Sequence, residues 1–232
     1  MQPIQSIQSM HTMSDLPGNG AQVSVLAANK VIRNTYMLLS ATLLFAALTA
    51  MVSVALKLPH PGIIITLIGY FGLLFLTSKF RDSAAGLGFV FALTGFMGYT
   101  LGPIISHYLG LPNGGQTVAM AMGLTAAIFL GLSGYALTTR KNFNYMGGFL
   151  MVGMIVGIVA SLAAVFFELP ALSLAVSAIF VLLMSGMILY ETSNIIHGGE
   201  TNYIMATVGL FVTIFNLFTS LMQLLGFMNS DD

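Results

Sequence analysis

The sequence predicts an all-α membrane protein with seven transmembrane helices. Three observations predict it. Only 6% of the 232 residues are charged, while 57% are hydrophobic. Mean hydropathy is +0.93. The apolar residues also fall in long unbroken runs rather than in short segments of alternating polarity, which excludes a β-barrel. A soluble domain carries about 25% charged residues, and so few charges cannot clothe a surface of this size. A disordered chain would be poor in apolar residues and rich in charge. Seven scattered Lys and Arg make no basic patch for nucleic acid. The chain has no cysteine, so disulfides, thiolate metal sites and thiol nucleophiles are excluded.

The charges mark out the spans, each needing about 20 apolar residues to cross roughly 30 Å of hydrocarbon. Asn34 to Leu56 is the first. Pro61 to Ser78 is a second, slightly short. The uncharged stretch between Asp82 and Arg140 is too long for one helix. It divides at Gly110-Leu111-Pro112-Asn113-Gly114-Gly115, a dense turn signal, into a third and a fourth. Asn142 to Phe167 holds the fifth, Leu169 to Tyr190 the sixth, and Thr201 to Ser230 the seventh.

Three segments follow: a mobile cytoplasmic tail over residues 1–29, the transmembrane domain over 30–228, and a short periplasmic C-terminus over 229–232. The tail is rich in Gln, Ser, Asn and Gly. It lacks the basic start and apolar core of a cleaved signal. Alternate loops hold Lys30, Arg33, Lys79, Arg81, Arg140 and Lys141, and the opposite loops hold only Lys57. The positive-inside rule then puts the N-terminus in the cytoplasm and Asp231 and Asp232 in the periplasm. The three outer loops each carry Leu-Pro, at Leu58-Pro59, Leu111-Pro112 and Leu169-Pro170, where proline can open the next helix.

Small residues at four-residue spacing mark close packing of helix backbones. Helix three has Gly95, Gly98 and Gly102, the first pair three apart; helix four has Gly123, Ala127 and Gly131; helix five has Gly153, Gly157 and Ser161. Packing within the chain is the expected use of all three. Gly102-Pro103 should break or kink helix three and free a backbone carbonyl there.

Polar side chains inside the spans are the candidate site. Thr213, Asn216, Ser220 and Gln223 lie three, four and three residues apart, on one face of helix seven. Such a stripe faces the bundle interior. Hydrogen bonding between helices is the favoured use, and a wet path for a cation the other. Glu191 is the acid that ends helix six on the cytoplasmic side, directly after an apolar run. There it can act as a pH sensor, with Lys79 or Arg81 as candidate basic partners. The segment from Glu191 to Tyr203 is the densest polar stretch outside the tail. Within it His197 and Glu200 lack a third ligand nearby, and Gly198-Gly199 reads as a turn rather than part of a metal site. No nucleophile-base order and no phosphate loop points to an enzyme, and no cofactor is called for.

These residues carry a family resemblance. Gly98-Tyr99-Thr100-Leu101-Gly102-Pro103, followed by Ala121-Met122-Gly123-Leu124-Thr125-Ala126-Ala127-Ile128-Phe129, resembles the signature of the Bax inhibitor-1 family, with Ile105 where that pattern has Leu. The bacterial YccA branch is more similar still. It shares Lys30-Val31-Ile32-Arg33-Asn34-Thr35-Tyr36, Thr138-Thr139-Arg140-Lys141, Leu169-Pro170-Ala171-Leu172 and the long stretch Glu191-Thr192-Ser193-Asn194-Ile195-Ile196-His197-Gly198-Gly199-Glu200-Thr201-Asn202-Tyr203. The resemblance runs from about Lys30 to Phe227.

It implies six helices around a central seventh. It also implies an inner-membrane protein that binds and modulates the AAA protease FtsH, and is its slow substrate. Other members are pH-sensitive calcium leaks with two sensor acids, one on helix six and one on helix seven. The resemblance puts the first on Glu191 and the second on Thr213, which does not ionise. Two carboxyls sharing a proton couple strongly, and one alone does not. Protease modulation therefore leads, and a cation leak with Glu191 as half a sensor comes second.

Overall fold

The computed structural model describes residues 17–228. Seven α-helices follow one another: α1 (Pro17–Ala55), α2 (Ile63–Lys79), α3 (Ala84–Leu109), α4 (Gly114–Thr139), α5 (Gly147–Phe166), α6 (Pro170–Ile196) and α7 (Tyr203–Met228). A short 3-10 turn, Asn144–Met146, leads into α5. Helices are what a lipid-embedded chain must form, because each one satisfies its own backbone N–H and C=O groups. Six of them, α1 contributing Leu26–Ala55, are long and apolar enough to cross a membrane. The exception is α2, apolar but only 17 residues long.

Several boundaries differ from the sequence expectation. Helix α1 begins at Pro17, within the stretch expected as a tail. Residues 1–16 lie outside the described residues, as do 229–232 with Asp231 and Asp232. Helix α6 does not end at Glu191 but runs on to Ile196. The drop in hydropathy there is misleading, since Thr192, Ser193 and Ile195 are all buried. Helix α3 is not broken at Pro103, which lies inside it. Proline removes a hydrogen bond to the carbonyl four residues back, that of Tyr99. The Ser53 hydroxyl on α1 donates to this carbonyl at 3.1 Å. A neighbouring helix thus takes up the group that proline leaves free.

Two of the Leu-Pro turns are the same structure. Lys57 and Glu168 both sit in the left-handed region, with φ of 50° and 51°. The next amide reaches back to close each helix, Leu58 to Ser53 and Leu169 to Ala164. This is the Schellman ending, normally built on glycine. Pro170 then opens α6. The third turn, at Leu111-Pro112, is built differently, with Asn113 rather than its helix-ending residue left-handed.

At the centre lies α7. It touches α1, α2, α3, α4 and α6. In its most apolar stretch 67% of the residues are buried, against 17% for α5. Among the described helices α5 packs on α6 alone and reaches α7 only through it. Two apolar cores flank the axis. Leu39, Val90, Leu93, Leu210 and Phe211 belong to one; Ala121, Leu150, Ile188, Leu217 and Met222 belong to the other.

The glycine faces divide in their use. Gly95, Gly98 and Gly102 of α3 lie against Phe45, Ala46 and Ser53 of α1. Gly153 and Gly157 of α5 lie against Leu183 and Phe180 of α6. On α4, however, Gly123, Ala127 and Gly131 are exposed, and both glycines face open space. The intramolecular packing expected of that face does not occur. The four-residue spacing records only that the helix has a smooth side.

Candidate functional site

The carboxyl of Glu191 lies inside the bundle, not at its edge. It is the acidic residue that lies within a helix among the described residues. From α7 the Thr213 hydroxyl donates a hydrogen bond of 3.0 Å to its Oε2. Directly beneath is Gly209, where a side chain would meet Glu191 Oε1 at 2.9 Å. The bare backbone at Gly209 therefore makes room for the carboxyl.

One residue further along α6, the Thr192 hydroxyl joins a second cluster. The Tyr36 phenol of α1 contacts Ser133 Oγ of α4 directly. Thr192 Oγ1 is 3.3 Å from each of them. Three hydroxyls from three helices thus close a triangle. Each can donate once and accept twice, so such a ring satisfies its members. Ser133 and Thr192 are buried, and Tyr36 is half-buried and within electrostatic reach of Glu191. Sequence reasoning missed this cluster. Tyr36 and Thr192 fall in stretches quoted for the family resemblance, but Ser133 has no local signal.

The polar stripe of α7 divides along its length. Thr213 is buried on Glu191. Asn216 turns its amide back to the Val212 carbonyl of its own helix at 2.8 Å. Ser220 is buried. Gln223 is exposed and donates to Ser173 Oγ, near the start of α6, at 2.6 Å. Thr213 and Gln223 therefore tie α7 to α6 in two places. Such bonds average about 0.6 kcal/mol in membrane bundles.

The candidate basic partners are elsewhere. Arg81 pairs with Asp82 at 3.6 Å, the only ion pair among the described residues. Lys79 lies 5.9 Å above the ring of Phe80. Both are exposed, Lys79 at the end of α2 and Arg81 in the loop that follows it, and neither meets Glu191.

The loop between α6 and α7 is fixed from within. His197 Nδ1 donates to the Ser193 carbonyl at 2.8 Å. The amides of Gly199 and Glu200 both donate to the Asn194 carbonyl, at 2.9 and 3.2 Å. Gly198 is left-handed at φ 75°. A side chain on Gly199 would collide with Asn194 Oδ1. Glu200 Oε1 accepts from the Asn202 amide at 2.8 Å, so it and His197 turn to different partners rather than to one metal. Asn202 in turn caps α7, its Oδ1 accepting from Ile204 and Met205.

The loop is also tied to its neighbours. Ser193 Oγ accepts from the Phe143 amide at 2.8 Å. The Asn202 side-chain amide donates to Asp82 Oδ1 at 2.7 Å and to the Arg81 carbonyl at 3.2 Å. The loops after α2, α4 and α6 therefore form one connected face.

Comparison with known proteins places this arrangement among relatives. A family model described as "Inhibitor of apoptosis-promoting Bax1" matches residues 28–230. A protein of Pseudomonas aeruginosa is 54% identical over 92% of this chain and 96% of its own length. The "Modulator of FtsH protease YccA" of Escherichia coli K12 is 53% identical over 90% of this chain and 95% of its own. An "Uncharacterized membrane protein" of Vibrio cholerae is 44% identical over 89% of this chain and 93% of its own.

Proposed function

We propose for this chain, which belongs to the Bax inhibitor-1 family, that it modulates a membrane-anchored AAA protease of the FtsH type. The observation that carries the reading is the 53% identity, over nearly the full length of both chains, to a protein named as a modulator of that protease. A relative of equal identity is named an inner membrane protein, and residence in the bacterial inner membrane is part of the proposal. The N-terminus and the loops after α2 and α4 face the cytoplasm, because Lys30, Arg33, Lys79, Arg81, Arg140 and Lys141 lie at that end, and the loop after α6, bound to them through Asn202 and Ser193, shares the side. The role is regulatory and not enzymatic. The hydroxyls of Tyr36, Ser133, Thr192 and Thr213 are engaged with one another or with Glu191, as befits a bundle held together rather than a reacting centre.

Such a modulator binds the protease and slows its attack on other membrane proteins. It is itself degraded slowly, from the N-terminal end that a processive protease grips. The test is co-reconstitution with the purified protease and a membrane substrate. Co-purification and slower substrate loss are expected. No co-purification and an unchanged rate would end the proposal. Removing residues 1–16 should lengthen the protein's own lifetime.

A second reading, a cation leak, is favoured by one observation: a carboxyl inside the bundle beside hydroxyl oxygens, ligands that suit a hard cation such as calcium. Against it stands Thr213 in place of a second acid. The Tyr99 carbonyl, capped by Ser53, is also not free to line a path. Proteoliposomes loaded with a calcium dye decide between them. A leak lost in Glu191→Gln supports this reading, and vesicles tight at every pH exclude it.

A further inference from the structure

The loop between α6 and α7 is exposed yet immobilised. His197, Gly198 and Gly199 are all exposed at its tip. Internal hydrogen bonds from the amides of residues 197–200 and from the His197 ring and Glu200 carboxylate fix it, and the tip contributes nothing to either apolar core. Ordering a loop costs roughly 1–2 kcal/mol per residue in backbone entropy. Lipid headgroups do not need a loop of fixed shape, since charge alone holds them. A partner surface of defined shape does. The tip's N–H groups are spent within the loop, and two adjacent glycines leave its carbonyls uncovered for such a partner.

Basic residues outnumber acidic ones around the tip. Lys79, Arg140 and Lys141 are exposed, and none has an acidic partner among the described residues. Lys79 rests over Phe80, Lys141 over Tyr135, and Arg140 reaches only Asn29 at 3.4 Å. The acids of this face are already engaged: Asp82 by Arg81 and Asn202, Glu200 by the Asn202 amide. Through Ser193 and Asn202 the loop is bound to the segments that carry these cations.

We propose that the tip at His197, Gly198 and Gly199, with Lys79, Arg140 and Lys141 around it, is the docking surface for an acidic protein surface. This rests on the protease reading above, in which the occupant is the cytosolic part of the protease. Attraction between the basic rim and an acidic partner speeds encounter and is weakened by salt. The neutral tip supplies the register.

The test uses the full chain, co-reconstituted with the purified FtsH-type protease in phosphatidylcholine vesicles. A photo-crosslinking amino acid replaces His197 in one preparation and Gln116, at the opposite end of the bundle, in another. An adduct with the protease from position 197 and none from 116 is expected, with the yield falling as salt rises. The double variant Arg140→Glu/Lys141→Glu should slow capture about tenfold. Its thermal unfolding, measured alongside, should match the parent, because both side chains are exposed. Gly199→Ala, which alters the tip without altering charge, should also reduce the adduct. If the parent chain does not co-purify with the protease, the functional reading fails and this surface with it. If it co-purifies but gives no adduct from 197 and ignores the charge reversal, the surface is wrong and the function stands. If the charge reversal abolishes binding only to vesicles containing phosphatidylglycerol, the face is a lipid contact and the proposal is overturned.

Discussion

Thr213 on α7 donates its hydroxyl to Glu191 on α6 at 3.0 Å, so the half-buried acid is held by an alcohol of the central helix. The two residues are 22 positions apart in sequence, and the antiparallel run of α6 and α7 makes them neighbours. Thr213→Val keeps the shape and removes the donor. In a double-mutant cycle with Glu191→Gln, the coupling should lie near about 0.6 kcal/mol and below about 1.7, the range for bonds between membrane helices. Reversible unfolding in detergent micelles measures it. Zero coupling would mean that the bond does not hold the helices.

Tyr36, Ser133 and Thr192 should behave as one unit. Tyr36→Phe and Ser133→Ala each remove one corner of the triangle and leave buried hydroxyls short of a partner, at about 1–3 kcal/mol each. Together they should cost less than the sum, because they share the same bonds. Strict additivity in the unfolding data would rule out a shared network.

Thr35 gives the opposite expectation. Its hydroxyl is buried with no hydrogen-bond partner among the described residues. Exchanging an unsatisfied hydroxyl for a methyl removes a desolvation cost, so Thr35→Val should be neutral or stabilising. A loss above about 1 kcal/mol would show that the hydroxyl is satisfied after all.

Glycines on two faces should respond differently to alanine. At Gly98 an added Cβ would collide with Thr49 Oγ1 and the Ala46 carbonyl of α1. Gly98→Ala should cost about 1–3 kcal/mol, as overpacking does. Gly123 faces open space, and Gly123→Ala should lie within about 0.5 kcal/mol of the parent. Thermal denaturation of the two variants side by side checks the contrast.

Asn202 has two roles that substitution separates. Asn202→Asp keeps the acceptor that caps α7 but loses the donor to Asp82 and sets two acids side by side. Asn202→Ala loses both roles, at about 1 kcal/mol for the cap alone. The Asp variant should be the more stable of the two at high salt, where repulsion is screened. The reverse order in a salt series would show that the tie to Asp82 outweighs the cap.

The sequence by itself determined the membrane class and the seven helices, which follow from local physics, since a helix in lipid must present an apolar run. It singled out Glu191 after such a run and Thr213 on a polar face, but it set Glu191 at the membrane edge and joined the two positions only through the family resemblance. Only the tertiary structure decided what touches what. It brought Tyr36, Ser133 and Thr192 into one cluster, although 156 residues separate the first from the last. It carried α6 past Glu191, since Tyr36 and Ser133 on other helices partner Thr192 and the Phe143 amide of a neighbouring loop partners Ser193 where hydropathy signals an end. It kept Lys79 and Arg81 away from Glu191, left the α4 glycines facing outward and set α5 outside the ring around α7. Periodicity places a side chain on a face of its helix, but the neighbour of that face is fixed by how all seven helices pack together. No single stretch of sequence contains that information.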